Sequence, residues 1–200
     1  SGYTGGAFSY TATDTGSGVS YLQYKTPGSS SWTTYSSGTT ISASATNGLY
    51  QFRAVDNAGN TSAVSSIYLD TAIPTGKITD SNGTTVTTTT NKAFKYTASD
   101  GLSGIAYMQY KKPNSTVWET YAAGTLIQTT DTNGIYRFRA FDNAGNESET
   151  VMICLDTVKP TGTLYGGTST VASGGKTNAN YVKFVPSDSM SGIKSIYVQT

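Results

Sequence analysis

The chain has no histidine and a single cysteine, Cys154. Without imidazole there is no His-dependent catalytic triad, no His general base and no His-ligated zinc. One cysteine closes no disulfide within the chain and builds no thiolate cluster. Charge is scarce as well. Asp, Glu, Lys and Arg make up 12% of 200 residues and sum to +1, with glutamate only at Glu119, Glu147 and Glu149. So weak and balanced a field does not suit a protein steered onto nucleic-acid phosphates. Apolar runs are a handful of residues long, well short of the ~20 that a membrane-crossing helix needs. No membrane span is expected in this segment.

What the chain has in quantity is threonine, serine and glycine: 35, 25 and 22 residues, about 41% together. Such polarity alone would suit a disordered chain. Fifteen Tyr, six Phe and two Trp argue otherwise, because regularly spaced aromatics can build a core. Thr, Tyr, Val, Ile and Phe favour the pleated, half-buried surface of a sheet, while strong helix formers are scattered. The composition predicts an all-β protein.

The chain also repeats itself. Residues 8–78 align without a gap on residues 94–164, with 39 identities in 71 positions. The run TNGLYQFRAVDNAGN (46–60) returns as TNGIYRFRAFDNAGN (132–146), and LDTAIPTG (69–76) as LDTVKPTG (155–162). Asp188, Gly192 and Ile193 open a third copy, matching Asp100, Gly104 and Ile105. The expected modules are residues 1–70, lacking a first strand, 71–156, complete, and 157–200, holding only the opening strands. We expect the chain to continue as a longer secreted array. The alternative is self-association into fibres, in which one molecule's open end completes another's by strand addition.

Module 2 reads as seven short antiparallel strands: 76–80, 94–100, 105–111, 117–121, 125–129, 135–141 and 149–156. Alternation places Tyr136, Phe138 and Ala140 on one face of the sixth strand and Arg137 and Arg139 on the other; Ile153 and Leu155 point inward on the last. Trp32 and Trp118, each following a polar turn, are expected to cover the edge of the core.

This pattern resembles the bacterial immunoglobulin-like and fibronectin type III-like tandem modules of cell-surface and secreted proteins. The most specific element is the turn-Tyr-x-Phe-Arg-Ala-x-Asp-Asn-Ala-Gly-Asn run at Tyr50–Asn60 and Tyr136–Asn146. The resemblance implies tandem seven-stranded β-sandwiches, with Tyr50 and Tyr136 as corner tyrosines whose hydroxyls bond back to the chain. It also implies an extracellular, non-catalytic stalk, adhesin or filament-forming array. The alternative is a glycan- or protein-binding accessory module of a large secreted enzyme.

The loops carry the candidate chemistry. Asp14, Asp100 and Asp188 each open an Asp-x-x-Ser-Gly segment, suited to accepting backbone N–H bonds. Asp56 and Gly59 in the DNAGN loop suit a tight turn with left-handed backbone. Loops at one end of a sandwich would also bring Asp100 and Asp142 toward the linker residue Asp70. Clustered oxygens there are the only candidate calcium ligands, and the expected cofactor is otherwise none. No acid, base and nucleophile recur together, so no catalytic residue is assigned. The expected partners are neighbouring modules of the chain, with a host protein or glycan as the candidate external ligand.

Overall fold

The structure is a computed structural model and describes residues 2–198. Ser1 and Thr200, the outer limits of the expected first and third modules, lie outside the described residues. Among the described residues there are fifteen strands and no helix.

In module 1 the strands are β1 (Gly2–Thr4), β2 (Val19–Lys25), β3 (Thr33–Tyr35), β4 (Gly48–Asp56) and β5 (Ser65–Leu69). They form one sheet in the order β1-β5-β4-β2-β3. Module 2 contains β6 (Thr75–Asp80), β7 (Thr89–Thr90), β8 (Phe94–Ser99), β9 (Ile105–Lys111), β10 (Glu119–Tyr121), β11 (Gly134–Asp142) and β12 (Val151–Leu155). Here β10-β9-β11-β12-β7 is the counterpart sheet and β6-β8 forms a second one. The third module contributes β13 (Thr161–Gly166), β14 (Ser169–Val171) and β15 (Val182–Ser187), ordered β14-β13-β15.

Two details differ from the seven antiparallel strands read from the sequence. Residues 125–129 form no strand and make a single bridge, Ile127 to Phe94. The Thr89–Thr90 pair, by contrast, is a strand, and it runs parallel to β12 through Cys154↔Thr89 and Leu155↔Thr90. A run of exposed threonines has no inside–outside alternation, so nothing in its pattern announces a strand.

Module 2 closes around Phe94, Tyr96, Phe138, Tyr136, Ile153, Leu155 and Ile78, all buried. Phe138 is the hub: its ring contacts those of Phe94, Tyr96, Tyr110, Tyr121 and Tyr136. Ring centroids 5.1 to 6.5 Å apart lie in the range where aromatic pairs attract beyond their area burial. The turn into β11 needs Gly134: its φ is +131°, and a Cβ there would sit 2.7 Å from Pro113. Asn133-Gly134 is therefore a turn and a packing contact at once.

Module 1 repeats this core around Phe52, Tyr50, Leu22, Tyr35 and Leu69. Phe8 and Tyr10, the counterparts of Phe94 and Tyr96, are only half-buried. No described segment plays the part of β6 beside them; Phe8 pairs by a single bridge to Ile41 and packs its ring on Tyr50 and Phe52.

Candidate functional site

The end of module 2 that meets module 1 is built from two loops. Asp100, at the close of β8, accepts N–H bonds from Leu102, Ser103 and Gly104 on one oxygen. Burial pushes this carboxyl up, but those N–H donors and the Ser103 hydroxyl outweigh it and hold it below its ordinary value of 3.8. Asp142, at the end of β11, accepts from the N–H groups of Ala144 and Asn146 and from the Asn146 side-chain amide. Asn143 ties the loops together by donating to the Ser103 carbonyl at 2.8 Å.

Module 1 docks onto these loops. Asp70, fully buried, accepts the Ser103 N–H at 2.9 Å and the Ala72 N–H at 3.1 Å. Its own carbonyl accepts the second amide hydrogen of Asn146, at 2.8 Å. Gly5 donates to the Ala144 carbonyl at 3.0 Å. A Cβ at Gly5 would lie 2.7 Å from the Asn146 Oδ1 and 3.2 Å from that carbonyl, so a larger residue would have to displace the Asn146 side chain.

Asp70, Asp100 and Asp142 thus come together, with a carboxylate oxygen from each within 4.8 Å of the others. Every one of these carboxylates already accepts N–H donors. Calcium takes six to eight oxygen ligands, bidentate carboxylates, carbonyls and waters among them, and three carboxylates gather here among the described residues. The hydrogen bonds make this cluster a joint between the two modules.

The second junction repeats the central contact. Asp156 accepts the Ser191 N–H at 3.0 Å, and Asp188 accepts those of Met190, Ser191 and Gly192. The Met190 and Gly192 amides lead in holding Asp188 below the ordinary carboxylate value. In module 1, Asp14 accepts from Gly16 and Gly18. Asp56 accepts from Ala58 and Asn60, and the Asn60 side chain is the main cause of its lowered pKa. Gly59 completes that loop with φ +91°.

The hydroxyl of Tyr50 donates to the Thr46 carbonyl and that of Tyr136 to the Thr132 carbonyl, at 3.0 and 2.9 Å. Burial, then the nearby Asp131 charge, pushes Tyr136 up to about 12. A second tyrosine pair escaped the sequence reading. Tyr35 and Tyr121 each donate to a carbonyl four residues on, Thr39 or Thr125, and accept the N–H of Tyr10 or Tyr96. Their identical placement in both copies was the available signal.

The tryptophans do not cover the core edge. Trp118 lies three residues before the buried Tyr121, so alternation turns it to the outer face. There it sits between Lys111 and Arg139, 4.8 and 4.2 Å from its ring centre. Trp32 is clasped the same way by Lys25 and Arg53. Cys154 is half-buried; burial and then the Asp156 charge raise its pKa, the reverse of a reactive thiol. No acid–base–nucleophile set is brought together at these sites.

No family model matches the chain, and no curated protein matches it. Among solved structures it is similar to the fibronectin(III)-like modules of CbhA from Clostridium thermocellum, with 18% identity over 77% of this chain and 86% of that one and a TM-score of 0.38. Strand pairing makes the chain all-β, with two sheets in module 2.

Proposed function

We propose that this chain is a non-catalytic structural repeat of an extracellular bacterial surface protein, with modules stacked end to end by a fixed joint. The observation that carries the reading is the joint itself. Asp70 spans from module 1 to Ser103 of module 2 by side chain and to Asn146 by carbonyl. The Asp156–Ser191 contact repeats the first of these one module on. A charged acceptor buried and paired in this way resists bending more than a flexible linker does, since leaving it unpaired costs about 1–3 kcal/mol. The partners on this reading are the neighbouring modules, and no cofactor is required.

Antibodies raised to module 2 and applied to intact, unpermeabilised cells of the source bacterium test the location. Labelling of cells or recovery from culture fluid is expected; confinement to the cytosol would overturn it. For the joint, millimolar Ca²⁺ and chelator are expected to give the same melting temperature. A rise with Ca²⁺ would instead make the carboxylate cluster a metal site.

A further inference from the structure

The outer sheet faces of the two modules share one arrangement and differ in one respect. In module 2, Arg139 lies 4.2 Å from the Trp118 ring centre, its Nε donates to Gln109, and its Nη1 donates to the Glu147 carboxylate at 2.7 Å. In module 1, Arg53 lies 4.3 Å from the Trp32 ring centre, and its Nε donates to Gln23 at 2.9 Å. The position of Glu147, which bridges to Phe141, is held in module 1 by Thr61, which bridges to Val55. Module 1 contains no glutamate. Its three aspartates, Asp14, Asp56 and Asp70, are all occupied by backbone N–H groups in the loops. Among the described residues neither Arg53 nor Lys25 forms an ion pair.

We propose that Arg53, with Lys25 beside it on Trp32, is a binding site for the carboxylate of an acidic, uronate-bearing polysaccharide. The sister module supplies the template, for there the same guanidinium in the same clasp holds a carboxylate. Stacking on Trp32 and the bond to Gln23 fix the fork in advance, so little side-chain freedom is lost on binding. Cross-strand register places Gln51 beside Lys25, Ser66 beside Gln51 and Thr34 beside Gln23. These amides and hydroxyls suit sugar hydroxyls. Arg53 lies on β4, an interior strand flanked by β5 and β2, so it presents a side-chain face. The site does not depend on how the modules stack.

The test is affinity electrophoresis of the whole chain through gels containing polygalacturonate or neutral dextran. Polygalacturonate is expected to retard the chain, less so as salt rises, while dextran leaves it unaffected. Arg53→Gln should weaken retardation about tenfold or more, the scale of one lost charge-assisted bond. Thr61→Glu places in module 1 the residue that module 2 already tolerates, so the fold is safe. It should close the site from within and remove retardation equally. Glu147→Thr should open the second site and increase it. No retardation of the unaltered chain, or full retardation of Thr61→Glu, would overturn the proposal. Poly-glutamate competing as well as polygalacturonate at equal charge would overturn the assignment to a polysaccharide in favour of an acidic protein.

Discussion

At the scale of single residues, the weight of module 2 falls on Phe138. Its ring is fully buried and packs against five others. Phe138→Ala is expected to cost about 3–5 kcal/mol in chemical denaturation; a loss under about 0.5 kcal/mol would mean the pocket refills and the ring is no hub. Tyr136 makes a different prediction. Its folded pKa of about 12 stands above the ordinary 10.0. The stabilisation from its neutral hydroxyl is therefore complete below pH 10.0 and is lost as pH rises toward the folded value. Tyr136→Phe removes the bond to Thr132 at a cost of about 1 kcal/mol and should also flatten the decline in stability between those pH values. An unchanged alkaline profile would assign that decline to other groups. These core residues were legible because Tyr136, Phe138, Ile153 and Leu155 alternate with polar neighbours. The place of Trp118 was legible too, by its odd spacing from Tyr121, but that spacing gains meaning only once Tyr121 is known to face inward.

At the scale of elements, the loops do the connecting. The β8–β9 and β11–β12 loops each close on an aspartate that gathers backbone N–H groups; the first shares its Ser103 N–H between Asp100 and Asp70, and the second gives Asp70 an Asn146 amide hydrogen. The aspartate signature of these loops could be read in the sequence, and so could the meeting of Asp70 with them. The part of Gly5 could not, since its partners Ala144 and Asn146 lie some 140 residues away and belong to another module. Gly5→Ala should leave the two cores folded while exposing the Gly5 amide to faster hydrogen exchange. An unchanged exchange rate would show that the joint tolerates the methyl group. Acid acts on the same element. The folded pKa of Asp100 lies below 3.8, so its contribution is present above that pH and lost as pH falls through the folded value. Loosening of the joint is expected there, read as a loss of protection at Ser103, and a joint indifferent to acid would mean these N–H bonds do not hold it.

At the scale of the whole molecule, an 86-residue offset repeats the sheet order, the aromatic core, the corner tyrosines and the loop aspartates. The copies diverge at exposed or half-buried positions, Thr61 against Glu147 and Tyr68 against Cys154, and also at buried ones, with Val55 in place of Phe141 and Leu22 in place of Met108. Whether the joint fixes one module on the next is the central point. Residual dipolar couplings measured on modules 1 and 2 within the intact chain address it most directly. A fixed joint predicts that one alignment tensor fits both modules, and that Asp70→Ala splits it into two. Two separate tensors in the unaltered chain would contradict it.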